Sequence, residues 1–299
     1  MFWQTSRYRL DLDRPRVMGI VNLTPDSFSD GGCHAGPVTA LRHCERLLTE
    51  GADILDLGAE SSRPGAAVLP ADEELARLLP VLREATRLGV PISIDTYKPR
   101  VMQAALDLGA DIVNDIWALR WHDAVAGEAP GAALAVVAAH PACGVCLMHM
   151  HGEPATMQRQ PMVGDAPAQV RAFLAEAALQ LRARGVAAER IVLDPGIGFG
   201  KAVAQNFALL ARQAELLDLG HALLAGWSRK SSLAAVAGGA DRPARERLVP
   251  SVAAALLAVE RGARIVRVHD VGDTVAALQV WRAATPNPFP VRQQEGTSP

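Results

Sequence analysis

The chain has no excess of basic charge. Its 30 Lys and Arg stand against 32 Asp and Glu, a formal net charge of −2. That excludes the broad electrostatic footprint of a nucleic-acid binder, although a local anion site stays open. No apolar run is long enough to cross a bilayer. The opening stretch, MFWQTSRYRLDLDRP, lacks the apolar core of a secretory signal, so the sequence points to the cytoplasm. Cysteine is scarce. Cys33, Cys44, Cys143 and Cys146 are too few for a disulfide framework in 299 residues. Cys143-Gly-Val-Cys146 has metal-ligand spacing, with His140, His149 and His151 nearby. A structural zinc site usually draws on two spaced pairs, however, and Cys146 sits in the apolar run CLMHM. Buried free thiols are the expectation.

What is present is a repeat. Gly51-Ala-Asp-Ile-Leu-Asp-Leu-Gly58, Gly109-Ala-Asp-Ile-Val-Asn-Asp115 and Gly262-Ala-Arg-Ile-Val-Arg-Val-His269 share one pattern: a glycine, a short apolar run, then polar groups. Each follows a segment with helical periodicity, which the glycine can end in the left-handed conformation. Eight such strands are expected, near 16–22, 53–58, 91–95, 111–115, 144–149, 190–194, 221–226 and 263–269. Helical segments fall near 37–50, 72–88, 98–108, 131–140, 165–184, 203–218, 246–261 and 272–284. The alternation places the chain in the α/β class with a parallel sheet. Eight units close into a single-domain (β/α)8, or TIM, barrel over residues 1–284. An open doubly wound sheet is the competitor. The proline-rich tail 285–299 reads as a loose terminus.

Residues two apart on a strand share a face. Met18, Ile20 and Asn22 fall together, as do Ser93 with Asp95, Ile112 with Asn114, Val192 with Asp194, and Ile265 with Arg267 and His269. Each apolar run finishes in a polar group at its C-terminal end, which is where barrels build active sites. Helix capping is the bland alternative. It suits Asp72, ahead of Glu73 and Glu74. It suits Asp95 poorly, because Pro99 delays the next helix, and Asp194 worse, because Pro-Gly-Ile-Gly-Phe-Gly follows.

The stretch Leu193-Asp-Pro-Gly-Ile-Gly-Phe-Gly-Lys201 imitates a phosphate loop but fails both nucleotide patterns. Pro195 occupies the first glycine position of the Walker motif, and Ala202 follows the lysine. The glycines instead allow a tight turn that leaves Asp194 clear and sets Phe199 over the barrel mouth. Asn22, Asp95, Asn114, Asp194, Lys230, Arg267 and His269 then form one strand-end group. Two carboxylates and an amide suit a flat heterocycle with several N–H donors. Arg267 and His269 suit an anion, most simply a phosphate. Two long polar loops, NLTPDSFSDGGCHAG and AESSRPGAAVLPAD, are placed to close over substrates.

These motifs resemble the dihydropteroate synthases. The resemblance rests on Met18-Gly-Ile-Val-Asn-Leu-Thr-Pro-Asp-Ser-Phe-Ser-Asp-Gly-Gly32, Glu60-Ser-Ser-Arg-Pro-Gly65, Ile94-Asp-Thr-Tyr-Lys-Pro99, Val113-Asn-Asp115, Met148-His-Met-His-Gly152, Leu193–Lys201, Ser228-Arg-Lys-Ser231 and Arg267-Val-His-Asp270. All eight run in family order. The resemblance implies that Asp95, Asn114, Asp194 and Lys230 hold a pterin ring lined by Met148 and Phe199. It implies that Asn22, Arg267 and His269 hold pyrophosphate, with Asn22 also on Mg2+. Phe28, Ser62, Arg63, Pro64 and Ser231 would frame p-aminobenzoate, and Asp30 would organise the closed state. It also implies small-molecule substrates with no nucleic acid or membrane partner, an SN1-like condensation, sulfonamide competition, and a homodimer through helices such as 246–261. Ser62 stands where the family commonly has threonine. A pterin-dependent methyltransferase and a non-catalytic pterin-binding paralogue remain alternatives at this point.

Overall fold

The computed structural model describes residues 1–24, 32–61, 65, 68–239 and 242–285, with side chains in the first helix from residue 36 onward. Two strands open the chain, β1 (Phe2–Gln4) and β2 (Arg9–Asp11), paired antiparallel. Sequence periodicity does not reveal them, because each has only three residues. Eight parallel strands follow: β3 (Arg16–Asn22), β4 (Ile54–Gly58), β5 (Ile92–Asp95), β6 (Ile112–Asp115), β7 (Gly144–Met148), β8 (Ile191–Asp194), β9 (Ala222–Ala225) and β10 (Ile265–Val268). They pair in chain order, and β10 closes the ring by pairing with both β9 and β3. The open-sheet alternative is therefore excluded.

The expected alternation of faces holds. Met18, Ile54, Ile112, Cys146, Val192, Leu224 and Ile265 meet inside the barrel. Their neighbours Val17, Leu55, Val113, Leu147, Leu193 and Val266 belong to the core that joins the strands to the helices. Trp3 and Leu12, from the hairpin, pack into the interior cluster and floor the barrel. The Trp3 indole donates to the Arg190 carbonyl at 3.0 Å. Arg7 fastens the hairpin through Asp111, with Nη2 to Oδ2 at 2.6 Å.

The helices are α1 (Gly32–Thr49), α2 (Ala71–Ala85), α3 (Pro99–Asp107), α4 (Ala132–Ala139), α5 (Ala166–Ala183), α6 (Val203–Ala211), α7 (Ala214–Leu217), α8 (Ser231–Val236), α9 (Leu248–Glu260) and α10 (Val271–Ala284). Gly51, Gly109 and Gly262 take φ of 99°, 99° and 95°, the left-handed geometry the repeat implied. Two expectations need correction. The segment 203–218 is two helices, because the chain turns at Arg212 and Gln213. The buried Gln213 side chain donates to the Ala258 and Arg261 carbonyls at the end of α9 instead of continuing one long helix. Asp72 does not cap α2. Pro70 holds the N-cap position, and Asp72 pairs with Arg100 at 2.6 Å on the surface. The short helix α8 was not anticipated. No described helix is long and apolar enough to cross a membrane.

Candidate active site at the barrel mouth

Strand parity brings the acidic groups together. Asp95 ends β5 and Asn114 pairs with it in register on β6. Asp194 ends β8, beside Met148 on β7. Gly58, at the end of β4, leaves room for this: a Cβ there would lie 3.3 Å from the Asp95 Cβ. Asp95 and Asp194 are not helix caps. Asp95 accepts from Arg267 Nη2 at 2.6 Å. Asp194 Oδ1 accepts from the Gly196 N–H at 2.7 Å, which fixes the carboxylate at the start of the glycine turn.

The centre of the site is a residue that sequence reasoning missed. Asp56, fully buried on β4, accepts from Arg267 Nε at 2.6 Å and from Asn114 Nδ2 at 3.3 Å. Its other oxygen, Oδ1, has no hydrogen-bond partner among the described residues. The signal was in the sequence: Ile54, Asp56 and Gly58 share the inward parity. Arg267 thus bridges two carboxylates, Asp56 and Asp95. One guanidinium between two buried acids leaves negative charge in excess. Burial raises Asp95 above the ordinary carboxylate range, with Asp56 adding to the rise and Arg267 opposing it. Asp194 is raised as well, first by burial. Lys230 is lowered to about 8, by burial and then by Arg267.

Lys230 reaches over the Phe199 ring, with Nζ 4.2 Å from the centroid. Phe199 and Met148 belong to one apolar patch with Tyr97, Ile116, Met150 and Met157. The glycine turn that carries Phe199 is held by close approach. Gly196 and Gly200 take φ of 68° and 67°, and a Cβ on either would lie 1.9 or 2.1 Å from the His149 or His151 carbonyl oxygen. Lys201 is buried beneath this turn and donates to the carbonyls of His149, Gly196 and Phe199 at 3.2, 2.8 and 3.0 Å. It ties the turn down; it is not a phosphate lysine.

His269 follows β10, beside the N-terminus of α10. Ser228 Oγ accepts the His269 backbone N–H at 3.1 Å and sits 2.9 Å from Nδ1. In the tautomer where Ser228 donates its proton to Nδ1, Nε2 is the ring N–H donor. Burial, then Arg229 and Arg267, hold the ring pKa down at about 3, so the imidazole is neutral at pH 7. Arg229 has φ of 59° and is paired with Asp270 through Nη2 and Oδ1 at 2.5 Å. Asn22 ends β3, partly buried, in register with Gly58. Ser231 is exposed at the first position of α8. Phe28, Asp30, Ser62, Arg63 and Pro64 lie outside the described residues, as does the tail beyond Thr285.

A cavity of ≈ 160 Å³ opens beside Asp95, walled by Glu60, Tyr97, Ile116, Trp117, Trp121 and Pro154 among others. Its aromatic wall stands on a strained turn. Ala118 and Leu119 have φ of 50° and 64°, and Asp115 holds them by accepting the Trp117 and Leu119 N–H groups at 2.7 and 2.6 Å. Asp115 therefore supports the wall from behind, consistent with its outward parity. Cys44, Cys143 and Cys146 are free and buried. The two halves of the CxxC diverge: Cys146 points into the barrel, and Cys143 packs among the helices with its sulfur 3.2 Å from Arg190 Nη2. Among the described residues no group of three or more His, Cys, Asp or Glu could hold a metal ion.

Known proteins resemble this chain over nearly its whole length. A family model described as "Pterin binding enzyme" matches residues 18–269. The dihydropteroate synthase of Neisseria meningitidis serogroup B is 49% identical over 286 residues, covering 94% of this chain and 96% of the relative. The Burkholderia cenocepacia dihydropteroate synthase, solved with 7,8-dihydropteroate, superposes with a TM-score of 0.82 at 50% identity, covering 95% of this chain and 96% of that one. The Xanthomonas albilineans dihydropteroate synthase, solved with 4-aminobenzoic acid, gives 0.84 at 47% identity, covering 92% and 95%.

Proposed function

The chain belongs to the pterin-binding enzyme family, among its dihydropteroate synthases, and from that premise we propose how its barrel mouth works. It condenses 6-hydroxymethyl-7,8-dihydropterin diphosphate with p-aminobenzoate, forming 7,8-dihydropteroate and releasing pyrophosphate, a step of folate synthesis. The observation that carries the reading is the gathering of Asp95, Asn114 and Asp194 on one rim with Arg267 and His269 beside them. The full-length similarity to synthases, two of them solved with product or amine, supports it and sets aside the methyl-transfer alternative.

The pterin ring lies against Met148 and Phe199. Asp194 Oδ1 is held by Gly196, which leaves Oδ2 for the ring N–H groups, a two-point match when joined by the Asn114 amide oxygen. Lys230, above Phe199, donates to the opposite ring edge. Arg267 keeps N–H groups beyond those given to Asp56 and Asp95, and these face the diphosphate together with His269 Nε2–H. An aromatic amine is a weak nucleophile, so the site gains most by easing departure of the diphosphate. Asp95 and Asp194 stabilise positive charge developing on the bicycle while Arg267 and His269 draw off the leaving group, which favours an SN1-like path. Phe28, Ser62, Arg63, Pro64 and Ser231 frame the amine, and Asp30 organises closure, which keeps water from the electrophile.

Asn22 is the residue we assign to magnesium. It supplies one amide oxygen, a donor suited to a hard cation that keeps several waters and takes other ligands from a diphosphate. When bound, the ion neutralises charge on the departing diphosphate. The working unit is residues 1–284, with no site residue assigned to 285–299. We assign it to the cytoplasm, in keeping with its free buried thiols. A homodimer through α9 is in keeping with exposed Val249 and Leu257 on that helix. The test is pyrophosphate release by the purified chain. The reading requires release only when both the pterin diphosphate and p-aminobenzoate are present. Release without the amine, or none with both, refutes it.

A further inference from the structure

Asp56 sits at the centre of the site, yet the mechanism above gives it no task. It is fully buried in the middle of β4. Its register partners on the neighbouring strands are Ile20 and Ser93. An acid at that depth is costly, and an apolar side chain would pack beside Ile20 without the loss of hydration. Part of the cost goes uncompensated, because Oδ1 has no hydrogen-bond partner among the described residues. The use of the residue therefore lies in Oδ2.

Oδ2 is held as an acceptor. Arg267 Nε donates to it at 2.6 Å, and a guanidinium nitrogen can only donate. The other group at Oδ2 is the Asn114 side chain, at 3.3 Å. An asparagine amide has an NH2 on one side and an oxygen on the other, nearly alike in shape, so its hydrogen bonds decide which way it faces. Opposite an accepting oxygen, the NH2 is the matching group. This is the one hydrogen bond of the Asn114 side chain among the described residues, so Asp56 selects the orientation. Asn114 is level with Asp95 in the sheet, whereas Asp56 is level with Ser93, deeper on the same strand. The NH2 thus points down the barrel and the oxygen toward the mouth. Asn114 is 5% exposed, and its oxygen, unlike Asp56 Oδ1, is not sealed from solvent.

We propose that Asp56 is a positioning residue that fixes the Asn114 amide with its oxygen toward the mouth, and so makes the rim an acceptor for the N–H groups of the ring. The assignment rests on the functional reading above. Asp56 acts through Asn114 and touches no substrate. Without it the NH2 is free to turn to the open mouth. Turning it back beneath a bound ring then buries a donor with no partner, and that penalty falls on binding.

The test is a double-mutant cycle on binding of 6-hydroxymethylpterin, which has no diphosphate and keeps the anion contacts of Arg267 out of the measurement. Calorimetric titration compares the wild type, Asp56→Leu, Asn114→Ala and the double variant, and a thermal melt shows which are folded. Leucine has the branching of aspartate and no acceptor. Asp56→Leu is expected to bind about tenfold more weakly than wild type, from one donor left unpaired, and to change affinity by less than about twofold when Asn114 is already alanine. Asp56→Asn is expected to stay within about twofold of wild type, because Arg267 Nε holds its oxygen in the accepting place. A buried counter-ion with no positioning role weakens binding equally in both backgrounds. That result overturns the assignment, as does wild-type affinity in folded Asp56→Leu, or Asp56→Asn as weak as Asp56→Leu. Neutron diffraction from deuterium-exchanged wild-type crystals decides the matter even where a variant does not fold. The assignment requires deuterons on the Asn114 atom that faces Asp56; deuterons on the other atom refute it. Amine-dependent pyrophosphate release by the wild type, together with a cycle that shows no coupling, overturns the assignment and leaves the functional reading standing. A wild type that binds no pterin and releases no pyrophosphate refutes both.

Discussion

Replacing Asp194 by asparagine separates ligand binding from folding. The side chain is 6% exposed and forms no ion pair among the described residues. Asp95, by contrast, is bonded to Arg267, so changing it also frees a guanidinium. Asparagine matches aspartate in shape and can still accept the Gly196 N–H through its oxygen, as Oδ1 now does at 2.7 Å. The turn therefore survives. What changes is the other atom, which becomes an N–H donor facing the donor edge of the pterin. Losing a charge-assisted bond and replacing it with a donor-donor contact is worth about 2–3 kcal/mol, roughly 30- to 150-fold in Kd. Stability moves the other way. Burial raises the pKa of Asp194, so its ionised form is disfavoured in the folded chain, and removing that charge costs the fold nothing. The assay is calorimetric titration with the pterin, paired with a thermal melt. Asp194→Asn is expected to melt at or above the wild-type temperature and to bind pterin at least tenfold more weakly, a floor set by the net value of one such bond. Wild-type affinity in a folded variant refutes the reasoning.

Other outcomes follow from the same geometry. Lys201→Met removes a donor from three buried carbonyls; it is expected to destabilise the chain by about 2–4 kcal/mol in urea unfolding, without a specific loss of affinity for diphosphate in the folded fraction. Lys230 is held at about 8, so it carries its proton below that pH and loses it above; kcat/KM is expected to fall on the alkaline side of about 8, and Lys230→Met to abolish that limb of the profile. Trp3→Ala empties the barrel floor and is expected to cost about 3–5 kcal/mol by chemical denaturation, with little change in KM because the mouth lies at the other end.

The barrel was legible because its strands obey a period of two and its helices end in left-handed glycines. Once Met18, Ile20 and Asn22 are assigned to one face, the C-terminal rim follows from parity alone. The misses have physical causes. Asp56 stands in the middle of β4, and attention to the last polar residue of each strand passed over it. The floor hairpin has strands too short for any periodicity, and its meaning lies in contacts with residues as distant as Arg190. Glu74 and Lys98 look like surface charges in the sequence, at the start of helices where such residues are ordinarily solvated; only the approach of α2 to the end of β5 buries them. Gln213 interrupts a helix that its own sequence would continue, because its amide finds better partners on α9. Glycine-rich Leu193–Lys201 gave up half its meaning: the turn was readable, but the use of Lys201 as its internal tie depends on where β7 places the His149 carbonyl.

Acids on the rim take the bicycle, and Arg267 with the neutral His269 beside them takes its diphosphate. A crystal structure of the chain with a non-reactive pterin diphosphate analogue tests this most directly. The ring is expected between Met148 and Phe199 with its N–H edge on Asp194 and Asn114, and the phosphates within hydrogen-bond distance of Arg267 and the His269 ring. A ring bound elsewhere, with phosphates reaching neither Arg267 nor His269, would contradict it.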